Sequence, residues 1–298
     1  MGAPRRGRPL IKLTRLMPGF AARVEGADLT RPLDGATWGE IRAAFEEHSV
    51  LVFHGQPLDD ESQIAFSRRF GPLEVSGSVN PAAGTHFARQ SNLDVQTGDP
   101  IPAEDRRMVY QRANMLWHTD SSFKTVPSLC SLLSGRIVPP EGGDTEFAST
   151  RCAYASLPEG LRRQAEGAVA VHSFAWSRDQ VQPGFFTDKE RAEYPPVHHP
   201  MVRVNPVNGR KSLFLGAHAS HIEGMPVEEG RAILEALLDH VTRPEFRYRH
   251  RWREGDLVIW DNRCVLHRAT PFDTGRHRRL MQRTTVSGDP AEPRPRRA

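Results

Sequence analysis

The sequence has few cysteines and no long apolar run. Three cysteines in 298 residues are too few for a disulfide framework, so we expect reduced thiols and a cytoplasmic location. No apolar segment approaches the roughly 20 residues of a membrane-spanning helix, and none follows the basic N-terminus as it would in a secretory signal. We therefore expect neither a membrane protein nor a secreted, disulfide-stabilised domain.

Basic charge is also scarce in the body of the chain. The formal net charge is +4, but arginines cluster in the Pro- and Gly-rich terminal segments 1–10 and 289–298, which we expect to be disordered tails. The remaining body is close to neutral and lacks the basic face that a nucleic-acid-binding domain requires. We expect one folded domain over residues 11–288 and no nucleic-acid partner.

Short β-rich stretches bounded by turn signals dominate the pattern. Helical spacing is confined to 37–47, 64–70, 157–165 and 227–241. This pattern favours a mainly β fold, a sandwich or a jelly roll, with helical additions. We expect a double-stranded β-helix (jelly roll) core buttressed by N-terminal and inserted helices. The predicted strands lie within 11–29 on either side of Pro18, and at 49–53, 128–137, 168–174, 201–204, 212–215, 246–252, 256–260, 263–266 and 280–286.

The segment 71–112 has no clear hydrophobic period and is rich in Gly, Pro, Asn and Asp. Structureless segments of this length inside a compact domain are usually functional. We expect it to form an active-site loop or lid.

His118, Asp120 and His267 form a candidate metal site. In a strand, residues i and i+2 point to the same face, so His118 and Asp120 can meet one ion. His267 ends a second β-rich stretch, 255–266. Two histidines and one carboxylate form the facial triad of non-haem Fe(II) oxygenases, which leaves coordination positions open. The same ligands could hold Zn(II) for hydrolysis, so the triad alone does not choose.

An arginine-rich run, 276–283, follows His267 closely. In a strand, Arg279 and Arg283 share one face and Arg278 lies on the other. A solvated basic edge strand is the ordinary interpretation of such a run. Next to a candidate metal ligand, however, it can supply the bidentate arginine that a buried 2-oxoglutarate carboxylate needs.

The constellation resembles the taurine dioxygenase/2,4-dichlorophenoxyacetate dioxygenase (TauD/TfdA) family over about residues 13–288. The stretches 217–224, 248–252 and 260–268 are most similar to the aryloxyalkanoate-cleaving branch of that family. The family motifs are matched at 116–123 (LWHTDSSF), 142–147 (GGDTEF), 209–214 (GRKSLF), 260–263 (WDNR) and 267–268 (HR).

The resemblance implies a role for each matched residue. Thr145 and Arg279 would bind the 2-oxoglutarate carboxylate, with Arg278 as the alternative because this segment is one residue longer than in the taurine branch. Arg283 and Asn114 would face the substrate. The iron ligands would be His118, Asp120 and His267.

The same resemblance implies a reaction. Fe(II), 2-oxoglutarate and O₂ would hydroxylate a small anionic organic acid, with ascorbate as the reductant in vitro and with release of succinate and CO₂. An aryloxyalkanoate would then be cleaved at its ether bond to a phenol and an oxo acid. The loop 73–78 lacks the sulfonate-binding histidine of the taurine branch, which makes an alkyl sulfonate or sulfate ester the alternative. Members of the family often assemble as homo-oligomers.

Two other classes of protein remain open from the residues alone. A Zn-dependent hydrolase on a similar barrel would not need Thr145 or Arg279. A non-catalytic jelly-roll binding protein that kept a metal would release no succinate coupled to substrate.

Overall fold

The computed structural model describes residues 10–76, 85–94 and 96–290 and has a mainly β fold with helices. Most of both predicted tails, together with residues 77–84 and 95 of the predicted lid, lies outside these described residues. None of the described helices is long and apolar enough to cross a membrane. The strands are β1 (Lys12–Met17), β2 (Phe20–Glu25), β3 (Val50–Phe53), β4 (Phe87–Ser91), β5 (Ser128–Ile137), β6 (Thr145–Ser149), β7 (Val169–His172), β8 (Val197–Pro200), β9 (Val202–Val204), β10 (Lys211–Leu213), β11 (Ala219–Ile222), β12 (Arg247–His250), β13 (Leu257–Asp261), β14 (Val265–Ala269) and β15 (Leu280–Ser287). The helices are α1 (Gly35–His48), α2 (Asp60–Arg68), α3 (Arg106–Ala113), α4 (Thr150–Ala155), α5 (Glu159–Ala165), α6 (Phe174–Asp179), α7 (Asp188–Glu193) and α8 (Val227–Val241), with a 3-10 turn at Pro244–Phe246.

A seven-stranded sheet forms the larger layer, in the order β1-β2-β3-β13-β5-β15-β4. Its central strand β13 is buried throughout and apolar except for Asp261, and it pairs antiparallel with both β3 and β5. The helices α1 and α2 cover one face of this sheet, where Phe45, Phe53 and Phe66 pack in a common cluster. The prediction that N-terminal helices would buttress the sheet is therefore confirmed.

Three smaller sheets complete the described fold. They have the orders β12-β6-β14, β11-β7-β8 and β10-β9. An apolar cluster joins the large sheet to the first of them: Trp260 from β13 and Met281 from β15 pack with Phe147 from β6 and Val265 from β14. Helix α8 contributes Ile233, among other residues, to a second apolar cluster, which packs against the small sheets and is separate from the cluster of Trp260 and Phe147. The candidate metal site lies between β14 and the large sheet.

The described parts of the segment 71–112 contain regular elements, so the prediction that this segment is structureless was wrong. It contains β4, which pairs along β15 at the edge of the large sheet, and α3, which begins after Asp105 caps the N–H of Arg107. The sequence of β4 (Phe87-Ala-Arg-Gln-Ser91) has little intrinsic strand signal. The pairing comes from a partner about 190 residues further along the chain, and no local pattern contains that information.

The strand predicted at 168–174 ends early. The backbone leaves β7 at His172, and α6 begins at Phe174 because the Ser173 Oγ accepts a hydrogen bond from the Trp176 N–H. Ser173 provides an N-cap that a strand assignment overlooks. This change of element matters for the site because it turns Phe174 and Arg178 toward the same cavity.

Candidate active site

A two-residue bridge brings the candidate metal ligands together. His118 lies in no regular strand, contrary to the prediction. It forms an isolated antiparallel bridge with His267 of β14, through N–H···O=C bonds of 3.1 and 2.8 Å. The two imidazole rings lie with centroids 4.2 Å apart. The separation of two positions between His118 and Asp120 still sends both side chains to one side, as the sequence indicated.

The Asp120 carboxylate completes the cluster. Its oxygens lie 4.0 Å from His118 Nε2 and 3.7 Å from His267 Nε2. The donor atoms of the three residues all lie within 4.8 Å of one another, and all three side chains are buried. Two imidazole nitrogens and one carboxylate form the donor set that suits Fe(II) and leaves coordination positions free.

A backbone hydrogen bond sets the tautomer of His118. Its Nδ1 lies 2.7 Å from the Leu116 carbonyl oxygen, which can only accept, so Nδ1 carries the proton. The lone pair of Nε2 is then free on the side of Asp120. Orientation of a ligand histidine by a carbonyl group is typical of metal sites. The ring of His267 is held differently, by packing against Trp260 at a centroid distance of 4.6 Å.

Asp120 is held in place by a small polar network. The Ser131 Oγ donates to its Oδ2 at 2.7 Å, and the amide of Asn262 donates to that Ser131 hydroxyl at 3.0 Å. The Asn262 Oδ1 in turn accepts from the Trp260 indole at 2.9 Å. The next residue, Ser121, has a φ of 55°, a strained conformation for a non-glycine residue. The motif 260–263 therefore acts in part by orienting the carboxylate.

The electrostatics favour metal binding. Burial alone would raise the pKa of Asp120, but the Arg283 guanidinium, 2.5 Å from its Oδ1, together with His267, His118 and the Ser131 hydroxyl outweighs burial and holds that pKa well below its usual range. Burial lowers the pKa of both His118 and His267. All three groups are thus in the deprotonated form that a metal ion requires.

Arg279 lies buried in a cradle formed by a glycine. Its Nη2 donates to the Gly143 carbonyl at 3.1 Å and its Nη1 to the Gln90 carbonyl at 3.3 Å. A Cβ on Gly143 would lie 3.1 Å from the Arg279 Nε, and Gly143 has a φ of 66°, so this close approach requires glycine. No carboxylate of the described residues forms an ion pair with Arg279, and its buried Nε has no hydrogen-bond partner there.

Thr145 lies two residues after Gly143 and is also buried. Its Oγ1 is 3.0 Å from the Trp252 indole nitrogen. An indole N–H can only donate, so Thr145 accepts this bond and keeps its own hydroxyl hydrogen available for another acceptor. The Arg279 guanidinium, which pairs with no carboxylate, and the hydroxyl donor of Thr145 together fit the carboxylate of a keto acid.

Arg278 is not part of this arrangement. Its side chain is exposed and donates to the Gly98 carbonyl on the protein surface. An exposed guanidinium cannot neutralise a buried carboxylate, so the geometry does not support the alternative assignment to Arg278. Arg279 and Arg283 turn inward, in agreement with their predicted shared face.

A cavity of about 370 Å³ opens beside His118 and Asp120. This volume falls in the range of small-molecule sites. Arg283 and Asn114 line it, and the Asn114 amide donates to the Gln90 side chain at 2.5 Å. The described parts of 71–112 supply a large share of the wall.

Several cavity residues were not predicted from the sequence. Arg178 of α6 lies on the wall, and so does His218, whose Nδ1 contacts the Ser122 hydroxyl at 3.0 Å. An aromatic wall adjoins them. It consists of Tyr110, Phe123, Phe174, Phe186 and Tyr194.

Comparison with known proteins identifies the class of enzyme. The sequence model described as "Taurine catabolism dioxygenase TauD, TfdA family" matches residues 12–285. An alpha-ketoglutarate-dependent 2,4-dichlorophenoxyacetate dioxygenase of Cupriavidus pinatubonensis is 46% identical over 276 residues, covering 91% of this chain and 96% of that protein. An (S)-phenoxypropionate/alpha-ketoglutarate-dioxygenase of Sphingobium herbicidovorans is 38% identical over 291 residues, covering 95% and 97%. The crystal structure of AAD-2 in complex with Mn(II) and N-oxalylglycine has a TM-score of 0.88 at 40% identity, covering 96% and 99%.

The chain belongs to the TauD/TfdA family. It is an alpha-ketoglutarate-dependent (2-oxoglutarate-dependent) dioxygenase, and iron and O₂ are implied by the family. This finding excludes the zinc hydrolase and the non-catalytic binding protein that the residues alone left open. The predicted resemblance is confirmed over nearly the whole chain.

Proposed function

We propose that this enzyme hydroxylates an aryloxyalkanoate next to its ether oxygen and so cleaves it to a phenol and an oxo acid. The observation that carries the proposal is the buried cluster of His118, Asp120 and His267 at the end of a cavity that combines arginines with an aromatic wall. The 2,4-dichlorophenoxyacetate and phenoxypropionate enzymes among its relatives support the same substrate class.

In this proposal His118, Asp120 and His267 hold Fe(II). The free Nε2 lone pair of His118, together with the depressed pKa of Asp120, supports the assignment. Arg283 keeps Asp120 ionised, and Ser131 fixes one of its oxygens, so the carboxylate is held in one orientation before the metal binds.

Arg279 and Thr145 bind the far carboxylate of 2-oxoglutarate. Burial lowers the pKa of the Arg279 guanidinium to about 10, because the charge is removed from water and only Asp144 opposes that effect. A bidentate carboxylate would relieve the cost of burial, and the hydroxyl hydrogen of Thr145 would satisfy a remaining lone pair. When bound, iron and 2-oxoglutarate supply the oxidation of a C–H bond by O₂, with release of succinate and CO₂.

Arg283 and Asn114 lie on the substrate side. Arg283 has one nitrogen on Asp120 and a buried Nε without a partner among the described residues, so it has donors left for an acid group. Asn114 can donate or accept at the edge of the cavity. These residues position the substrate carbon, and the chain itself performs no bond-breaking step after hydroxylation. The aryloxy hemiacetal that results expels phenol, and its hydroxyl carbon becomes the carbonyl of the oxo acid.

Several wider expectations complete the proposal. The apolar cluster shared by the large sheet and β12-β6-β14 supports a jelly roll with these two sheets as its faces. We further propose a single domain over 11–288, a homo-oligomeric assembly, a cytoplasmic location and a lid function for the described parts of 71–112. The family resemblance and, for the lid, the position over the cavity support them.

The test is succinate release from 2-oxoglutarate with Fe(II), ascorbate and air. Phenoxyacetate, both enantiomers of 2-phenoxypropionate, taurine and an alkyl sulfate are added in parallel. We expect succinate and phenol to rise together with the aryloxy acids. Succinate that rises only with taurine or the alkyl sulfate would contradict the proposed substrate while keeping the reaction class.

A further inference from the structure

Arg178 is a buried cation on the wall of the active-site cavity. It lies near the C-terminus of α6 and is only 9% exposed. Phe174, on the same helix, connects it with the metal site. The Arg178 guanidinium lies 4.4 Å from the Phe174 ring centre, that ring stacks on His218 at 6.2 Å, and His218 meets the edge of His118 at 6.2 Å. Arg178 is therefore two ring contacts away from a candidate iron ligand.

This guanidinium has almost no hydrogen-bond acceptor around it. Its Nη1 donates to the Ser177 hydroxyl at 3.0 Å, and its Nε is buried without a partner among the described residues. No described carboxylate lies within ion-pair distance. The remaining contacts are the ring faces of Phe174 and, at 5.3 Å, Tyr110. Ring faces attract a cation but leave its N–H groups unsatisfied.

Other buried arginines of the described chain have the acceptors that Arg178 lacks. Arg263 contacts the carboxylates of Glu46 and Asp261 at 2.8 Å. Arg151 donates to three backbone carbonyls. Arg151 pairs with no carboxylate either, but among the buried arginines of the described residues only Arg178 and Arg279, proposed above to bind 2-oxoglutarate, have an Nε without a hydrogen-bond partner. The enzyme binds two organic acids, and the described part of its fold buries two arginines that have neither a paired carboxylate nor a partner for Nε.

Charge in the cavity also directs an anion toward Arg178. Arg283 is already compensated because its Nη1 contacts the Asp120 carboxylate. Burial lowers the pKa of Arg178 to about 10, and the nearby Arg283 contributes in the same direction. The guanidinium remains protonated at neutral pH. Its charge is the less compensated of the two, so an incoming carboxylate gains most by pairing with it.

The surroundings of Arg178 indicate what the anion carries. Phe174 packs against Phe123 at 4.3 Å, Tyr194 at 5.1 Å and Phe186 at 5.4 Å. An apolar or aromatic body fits this wall, whereas a short, hydrated acid would leave it in contact with water. The cation and the aromatic wall lie side by side on α6 and its neighbours.

We propose that Arg178 is a second anion-binding residue of the substrate site: together with Arg283 it pairs with the carboxylate of an acid whose apolar body lies against Phe174 and Phe123. This inference rests on the proposed function and deepens it, because it assigns recognition of the acid group to a residue outside the motifs shared with the family. Arg283 contacts Asp120 and offers its remaining donors to the same carboxylate.

The experiment compares a charged and an uncharged ligand in Arg178→Met, which keeps an apolar side chain on the ring faces. Substrate binding is followed anaerobically by the change in absorption of the Fe(II)·2-oxoglutarate complex, with phenoxyacetate and phenoxyethanol as ligands. We expect the dissociation constant of phenoxyacetate to rise about 10- to 100-fold, as for loss of a charge-assisted hydrogen bond. The dissociation constant of phenoxyethanol should change by less than about threefold. Arg178→Lys should recover part of the lost affinity for phenoxyacetate.

The matched control is Arg231→Met. Arg231 lies 4.2 Å from the ring centre of Trp176, also on α6, but it does not line the cavity. This variant removes an arginine–aromatic stack from the same helix and should leave both dissociation constants unchanged.

Three outcomes separate the two proposals. If Arg178→Met leaves phenoxyacetate binding unchanged, or weakens both ligands equally, Arg178 is not an anion-binding residue although the enzyme's function stands. If the wild-type complex forms but responds to no aryloxy acid, the proposed substrate fails. In that case taurine and an alkyl sulfate replace the acid, and a loss of their binding in Arg178→Met would still support an anion site at this residue. An unchanged response to them would overturn it.

Discussion

Replacing Arg279 by methionine tests whether this residue binds 2-oxoglutarate or is a buried arginine with a structural role only. In the free enzyme the burial that lowers its pKa to about 10 costs the charged form on the order of 3 kcal/mol. Methionine removes the charge but fills similar space, so we expect the free energy of unfolding of the free enzyme to stay the same or rise. An arginine with a purely structural role would show the opposite sign.

The affinity for 2-oxoglutarate should be much lower in the same variant. Without the cation, a buried carboxylate would remain unpaired, which costs about 3–5 kcal/mol. At about 1.4 kcal/mol for each factor of ten, the KM for 2-oxoglutarate should rise by about 100-fold or more. The assay is succinate formation against 2-oxoglutarate concentration, together with anaerobic titration of the coloured Fe(II) complex.

Arg278→Met is the matched control, because the neighbouring side chain is exposed and contacts only the Gly98 carbonyl in the described structure. The KM of the Arg278→Met variant for 2-oxoglutarate should change by less than about threefold. A KM for Arg279→Met within that same range, or a larger loss in Arg278→Met, would refute the assignment of the clamp to Arg279.

Two further predictions concern stability. Arg263→Met should lower the free energy of unfolding in urea by about 3–5 kcal/mol, because Asp261 would remain as a buried, unpaired carboxylate and Glu46 would lose its buried cationic partner. Arg42 is the more exposed partner of Glu46, so Arg42→Met should lower it by less than about 1 kcal/mol. Equal losses in the two variants would contradict the network. Burial holds the pKa of His172 well below 6.5, so below that pH the unfolded chain takes up a proton that the folded one does not, and stability falls as pH falls. His172→Phe should remove up to about 1.4 kcal/mol per pH unit of that slope, and an unchanged slope in urea unfolding between pH 7 and 5 would show that His172 does not contribute.

The sequence was most informative where local pattern and chemistry coincide. The apolar stripe of α8 and the run of β5 predict these elements with their observed bounds. The spacing of His118 and Asp120 placed two side chains on one side of the chain, although the backbone there is a bridge and a turn and not a strand.

Long-range pairing accounts for what the sequence did not predict. The strand β4 exists because β15 offers it a partner, and the N-cap of α6 is a single serine between two apolar stretches. No sequence motif pointed to Arg178. A buried arginine also cannot be distinguished from an exposed one by sequence alone. Only the fold shows that the Arg178 guanidinium is buried without a carboxylate partner among the described residues.

A crystal structure of the anaerobic enzyme with Mn(II), 2-oxoglutarate and phenoxyacetate would test the proposed site most directly. We expect the metal on His118, Asp120 and His267, and the far carboxylate of 2-oxoglutarate on Arg279 and Thr145. A metal bound elsewhere, or a 2-oxoglutarate carboxylate that contacts neither Arg279 nor Thr145, would contradict the proposed active site.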